Sequence, residues 1–383
     1  MALKVARRGL VPPFIVMDVL RAANDREAAG EEVLHLEVGQ PGTPAPAAVR
    51  AAAKAALADA RLGYTDALGV RSLRARIARS YAELYGVTLD PRRVIVTTGS
   101  SGGFLLAFLA SFEPGDRVAL AAPGYPAYRN ILSTLGVEPV LLPCDLAHRF
   151  QPTVELLDQV APPLDGLILA SPSNPTGTML GRAALSDLVD YCAARGVRLV
   201  SDEIYHGIAY EAPAVSALEL TGEVIVINSF SKYYSMTGWR LGWMVLPEDL
   251  LRPVECLAQN LFISPPTLSQ IAAEVAFDCR EELDGYVAAY ARNRALLLEA
   301  LPKAGFDRLA PADGAFYLYA DVSRLTNDSQ DLCRRMLAET GVAITPGIDF
   351  DPERGHQFVR FSFAGLEAEM AQAAARLEAW LAG

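Results

Sequence analysis

Seven short apolar runs punctuate the middle of this chain: Val94–Thr98, Val118–Ala122, Pro139–Leu142, Leu167–Ala170, Val197–Val200, Val224–Asn228 and Leu241–Val245. On average they do not alternate apolar with polar residues as a strand with one wet face does. They read instead as strands covered on both sides. Between them, stretches such as Phe104–Phe112 and Arg182–Arg195 space their apolar residues as helices do. Strand and helix signals in alternation predict an α/β layered fold, a mostly parallel seven-stranded sheet with helices on both faces.

The last third has a different grain. A long helical pattern from about Pro265 to Ala304 precedes strand patterns at Phe316–Val322, Val342–Ile344 and Gln357–Phe363. Helices near Asp331–Thr340 and from Leu366 onward complete a smaller α+β domain. Ahead of the sheet, a helix around Ile15–Ala29 and a strand at Leu34–Val38 are too little to fold alone. The expected division is an N-terminal segment, 1–45, packed on the small domain, a large α/β domain, 46–280, and the small C-terminal domain, 281–383.

Composition removes several classes of function. The 383 residues are 51% apolar and 21% charged, which supports two or three packed units and excludes disorder over most of the length. A net charge of −11 offers no electrostatic footprint for nucleic acid or an anionic membrane surface. The five cysteines (Cys144, Cys192, Cys256, Cys279 and Cys333) contain no C-x-x-C pair. That argues against a disulfide framework or thiolate zinc and for a reducing, cytoplasmic setting. Lys4, Arg7 and Arg8 precede an apolar stretch, but Pro12, Pro13 and Asp18 interrupt it, so no secretory leader is expected. No apolar run approaches the about 18 residues of a membrane helix. His35, His148, His206 and His356 have no metal-ligand spacing, and no metal is expected.

In open parallel sheets, ligands bind beyond the carboxyl ends of the strands. Five of those ends carry polar clusters here: Gly99-Ser100-Ser101-Gly102-Gly103, Pro123-Gly124-Tyr125-Pro126, Ser171 to Gly177, Ser201-Asp202-Glu203-Ile204-Tyr205, and Ser229-Phe230-Ser231-Lys232. Each has a plain structural reading. The glycine-serine loop reads equally as a capped turn or as a phosphate cradle at a helix N-terminus. Asn174-Pro175-Thr176-Gly177 is a turn on composition alone. Asp202 reads as a cap, Tyr125 as core, Lys232 as a solvated cation. Yet only four lysines occur in the chain, against 30 arginines (34 − 4), and one of them falls where these loops converge.

The stretch Ser229 to Gly242, SFSKYYSMTGWRLG, resembles the cofactor-attachment segment of the class I/II aminotransferases, which use pyridoxal phosphate. Val38-Gly39-Gln40-Pro41, Gly63-Tyr64, the Asn174 turn, Asp202 to Tyr205, and Val359-Arg360-Phe361-Ser362 extend the resemblance over nearly the whole chain. It implies the fold type I architecture of that family and an aminotransferase that moves an amino group from an amino acid to a 2-oxo acid.

Within that resemblance, Lys232 is the amine that forms the Schiff base and later moves a proton. Asp202 pairs with the pyridine nitrogen, Asn174 and Tyr205 with the ring oxygen, and Tyr125 stacks on the ring. Gly99, Ser100, Ser101, Ser229 and Arg240 hold the phosphate. Arg360 grips the substrate α-carboxylate, with Gly39 and Asn174 beside it. Tyr64 reaches the phosphate of a neighbouring subunit, which implies a homodimer with shared sites. Gln259 to Pro266 lacks the arginine that relatives preferring dicarboxylic substrates often carry there. A donor with a neutral or apolar side chain is therefore expected. The alternative activity is a pyridoxal-phosphate-dependent β-lyase.

Overall fold

In the computed structural model, which describes residues 3–382, the strands are β1 (Leu34–His35), β2 (Val94–Thr97), β3 (Arg117–Ala122), β4 (Glu138–Pro143), β5 (Gly166–Ala170), β6 (Arg198–Asp202), β7 (Ile225–Ser229), β8 (Gly242–Val245), β9 (Tyr317–Asp321), β10 (Val342–Ala343), β11 (Thr345–Pro346) and β12 (Phe358–Ser362). Met1, Ala2 and Gly383, at the outer ends of the first and third expected segments, lie outside the described residues. All seven central runs are strands of one sheet, ordered β2-β8-β7-β6-β5-β3-β4. Pairing is parallel except for β8, which runs antiparallel to both β2 and β7. The connection from β7 to β8 holds only a 3-10 turn, Thr237–Trp239, too little for a parallel crossover.

The missing alternation has a direct cause. Ile95, Leu120, Ile168, Val200, Ile227 and Met244 face helices Gly99–Ser111, Pro126–Leu135 and Glu248–Leu261. Val96, Ala119, Leu169, Leu199, Val226 and Val245 face helices Arg71–Tyr85, Arg182–Arg195 and Thr267–Glu274. Both faces are dry, so both demand apolar side chains. The run at Pro139–Leu142 differs from expectation, because β4 is the half-exposed edge strand. Its prolines, Pro139 and Pro143, are tolerable for that reason, since an edge strand need not donate on both sides.

A second core surrounds the antiparallel sheet β11-β12-β9. The pattern from Pro265 to Ala304 is not one helix but two, Thr267–Glu274 and Arg280–Lys303, parted by a 3-10 turn at Val275–Asp278. The first buries Ala272 and Ala273 against the large sheet. The second sets Leu283 on that core and then Tyr290, Leu297 and Leu301 on the small one, so the break serves a change of partner.

β1 pairs in parallel with β10, and helix Ile15–Ala28 buries Ala23 beside Leu337 and Ala343. That helix has no side-chain cap of its own. The Asp349 carboxylate instead accepts the Ile15 N–H at 3.2 Å and the Val16 N–H at 3.1 Å, satisfying two orphan donors from a distant part of the chain.

Candidate active site

The carboxyl ends of β5, β6 and β7, the start of helix Gly99–Ser111 and the middle of β12 open on one cavity of about 170 Å³. Its wall contains Gly39, Ser100, Ser101, Tyr125, Asn174, Asp202, Tyr205, Lys232, Arg240 and Arg360, all expected from the sequence. A larger cavity of about 520 Å³ is lined by Tyr81, Tyr85, His206, Tyr233 and Trp243, with Arg76, Arg280, Glu83 and Asp284, but by no lysine.

Lys232 is half-buried as a residue, and its Nζ donates to the Gly39 carbonyl at 2.6 Å. Burial lowers its pKa to about 8, and the nearby Arg360 and Arg240 charges act in the same direction. Asp202 ends β6 and is buried. One carboxylate oxygen accepts the Ile204 N–H at 3.0 Å and the other accepts the Tyr128 hydroxyl. Burial still pushes its pKa up to about 7, outweighing those two hydrogen bonds and the nearby Lys232 charge, which act to lower it.

Arg360 is a buried cation in no ion pair among the described residues. Its guanidinium donates to Asn174 Oδ1 at 2.8 Å, to Thr345 Oγ1 at 3.2 Å and to the Glu37 carbonyl, between the rings of Tyr317 and Phe350. Its Nε is buried without a partner. A buried guanidinium with only neutral acceptors is a site for an anion.

At the other end of the cavity, Gly99 opens helix Gly99–Ser111 with φ +71, and a Cβ built there lies 2.5 Å from an Arg240 side-chain nitrogen. Only glycine allows the backbone to approach that guanidinium. The Ser100 and Ser101 hydroxyls join the first turn of the helix beside Arg240, an arrangement suited to a dianionic phosphate.

Three expected residues lie off the cavity wall. Gly99 backs Arg240. Ser229 is buried behind the wall, bonded to Ser231 Oγ at 2.8 Å and to the Leu241 carbonyl at 3.2 Å, whereas Ser231 and Thr237 line the cavity. Tyr64 is 83% exposed, on a loop tied to Thr267 through the Gly63 carbonyl. Sequence reasoning also missed Tyr128, Tyr317 and the group Phe14, Val16 and Met17, all on the wall. Tyr128 stands three residues past Tyr125 on one helix, the only sequence signal that links it to the site.

The orphaned Arg360 Nε, the unpaired Asp202 carboxylate and the side-chain-free approach at Gly99 together fit a molecule with a phosphate, a protonatable ring nitrogen and a carboxylate-bearing substrate. The chain belongs to the family Aminotransferase class I and II, whose model matches residues 31–377. It is a pyridoxal-phosphate-dependent aminotransferase. It is 54% identical to the valine–pyruvate aminotransferase of Mycobacterium tuberculosis, over 99% of this chain and 98% of that one. It superposes on the crystal structure of an aminotransferase from Mycobacterium tuberculosis with TM-score 0.98 and 53% identity, covering 100% of both chains. The aspartate aminotransferase from Thermus thermophilus with maleate matches at TM-score 0.93 and 28% identity, over 99% of this chain and 100% of that one. These relatives do not favour the lyase alternative.

Proposed function

We propose that the amino donor has a neutral, branched or short apolar side chain, as valine or alanine does, and that pyruvate or a similar 2-oxo acid is the acceptor. One observation carries this reading. Apart from Lys232, the only cations on the cavity wall among the described residues are Arg360 and Arg240, and the rest of that wall includes Phe14, Val16 and Met17. A second carboxylate on the substrate would be buried there without a partner, at a cost of several kcal/mol. The segment Gln259 to Pro266, which holds no arginine, is absent from that wall. The names of the relatives agree, since the valine–pyruvate enzyme is much more similar in sequence than the Thermus aspartate enzyme.

When bound, pyridoxal phosphate withdraws electrons from the α-carbon of the amino acid joined to it. Lys232 would tether the cofactor aldehyde; once the substrate amine has displaced it, its lowered pKa of about 8 leaves part of the freed amine unprotonated near neutrality, able to take the α-proton. Asp202 keeps the ring nitrogen protonated. Tyr205 and Asn174 would bond the ring oxygen, and Tyr125 would cover the ring. Gly99, Ser100, Ser101, Ser229 and Arg240 serve the phosphate, Ser229 by holding Ser231 in place. Arg360 takes the substrate α-carboxylate in a two-pronged contact, with Gly39 and Asn174 alongside.

A homodimer with shared sites is supported by the exposed large apolar side chains Leu62 and Tyr64, on the loop whose Gly63 carbonyl accepts the Thr267 hydroxyl, and Leu261 and Ile263, a few residues ahead of Thr267. Tyr64 then serves the partner's phosphate rather than its own. The division into 1–45, 46–280 and 281–383 is supported by the separate cores around the two sheets. Five free thiols support a reducing, cytoplasmic setting.

Steady-state kinetics with valine, alanine, leucine, phenylalanine and aspartate, each with pyruvate or 2-oxoglutarate, test the substrate reading. A kcat/KM for valine or alanine at least tenfold above that for aspartate is expected. A clear preference for aspartate overturns it.

A further inference from the structure

Tyr317, on β9, touches three groups of the site at once. Its hydroxyl lies 2.7 Å from the Tyr205 hydroxyl. The Arg360 guanidinium lies 4.4 Å from its ring centroid. The same hydroxyl occupies the space that a side chain at position 39 would need, since a Cβ built on Gly39 falls 1.8 Å from it. Gly39 in turn supplies the carbonyl that Lys232 donates to. Within an apolar strand pattern this tyrosine reads as core, and its residue is 1% exposed.

We propose that Tyr317 is a positioning residue with two separable duties, its hydroxyl polarising Tyr205 and its ring holding Arg360 in place for the substrate carboxylate. The inference rests on the roles given above to Tyr205 and Arg360.

The first duty follows from counting protons. A bond between two hydroxyl oxygens holds one hydrogen. Tyr205 needs its own to donate to the cofactor ring oxygen, so the hydrogen between the two tyrosines is Tyr317's. Burial raises the pKa of Tyr317, which keeps that hydrogen in place across the working range. A hydroxyl that accepts a hydrogen bond becomes a better donor. Tyr205 therefore stabilises negative charge on the ring oxygen more strongly with Tyr317 behind it. An oxygen so stabilised holds less tightly the proton it shares with the nitrogen that Lys232 contributes.

The second duty follows from the surroundings of Arg360. The guanidinium has neutral acceptors at its edge and aromatic faces at 4.4 and 4.8 Å, those of Tyr317 and Phe350. Quadrupole attraction in a dry site then fixes the plane of its fork. Tyr317 stands on the small sheet and Tyr205 follows a strand of the large one, so one side chain sets the anchor of the substrate against the partner of the cofactor.

The test is a pH titration of the visible absorption band of the holoenzyme, alongside steady-state kinetics. Tyr317→Phe removes the hydroxyl and keeps the ring. Its absorption midpoint moves up by about half a unit while KM for the amino donor stays within about twofold. Tyr317→Leu moves the midpoint similarly and raises KM about tenfold. Gly39→Ala, which evicts the hydroxyl from the backbone side, shifts the midpoint in the same direction. An unmoved midpoint in Tyr317→Phe overturns the first duty, and an unchanged KM in Tyr317→Leu overturns the second. If thermal melting shows Tyr317→Leu unfolded, Tyr317→Met is read in its place. A wild-type protein that takes up no cofactor colour, or a Tyr205→Phe variant with an unmoved midpoint, refutes instead the site roles on which the inference rests.

Discussion

Asp202 and Glu203 are adjacent, both buried and both pushed up to about 7 by burial, yet they stand in opposite situations. Asp202 lines the small cavity with Lys232, bonded only to the Tyr128 hydroxyl and the Ile204 N–H. Glu203 is held by the Ser201 hydroxyl at 3.2 Å, the Ser216 hydroxyl at 2.8 Å and the Ala217 N–H at 2.8 Å. Behind it, toward the larger aromatic-walled cavity, His206 is satisfied as well. Its Nε2 donates to the Ser171 carbonyl at 3.0 Å and its Nδ1 accepts the Tyr85 hydroxyl at 2.8 Å, and burial holds the ring neutral by lowering its pKa to about 4. Burial and a shifted pKa do not separate a working carboxylate from a structural one. The capacity left unfilled does.

The largest expected effect falls on the open side. Lys232→Ala lowers kcat by roughly 10⁴-fold or more, and borohydride no longer fixes the cofactor to the protein. Mass spectrometry after reduction reads this directly.

Asp202→Asn comes next, with kcat/KM down about 10²- to 10³-fold because a neutral amide cannot hold a proton on the ring nitrogen. Its effect on the cofactor-free protein has the opposite sign. A carboxyl whose folded pKa is about 7, above the ordinary 3.8, contributes most to stability below that ordinary value. The contribution is lost as pH rises through about 7. The wild-type apoprotein therefore melts lower at pH 8 than at pH 6, and Asp202→Asn reduces the difference. Identical Tm differences in the two proteins would contradict the assignment.

Glu203→Ala reverses the pattern. The Ser216 hydroxyl and the Ala217 N–H lose their acceptor, costing about 1–3 kcal/mol each, so Tm falls while kcat/KM of the folded protein stays within about threefold. A loss of activity as deep as that of Asp202→Asn would erase the distinction between the two carboxylates.

Smallest of all is Tyr233→Phe. It removes the exposed 2.6 Å bond to Asp284 and costs about 1 kcal/mol or less by denaturant titration, although the residue is chain neighbour to Lys232.

The sequence made the cofactor half of the site readable for a physical reason. Strands buried on both faces leave unbroken apolar runs, and the polar residues that end them, Asp202 and Lys232 among them, stand out by contrast. The residues behind those groups, and the apolar part of the wall, were harder to read. Tyr317 and Tyr128 sit inside apolar patterns and look like core, and what marks them is the hydroxyl contact each makes across the chain. Phe14, Val16 and Met17 belong to a segment whose place depends on Asp349, more than 300 residues away, and no local period encodes that contact. The prolines of β4 signalled an edge that the apolar run concealed.

The Asp349 cap joins the beginning of the protein to the residues just ahead of Arg360. Phe14, Val16 and Met17, which line the cavity, are thus fastened to the same body that carries Arg360. Gauge and clamp share one mount. On the proposed roles, whatever displaces one carries the other along, so the fit of a side chain would be judged at a constant offset from the point where the molecule is gripped.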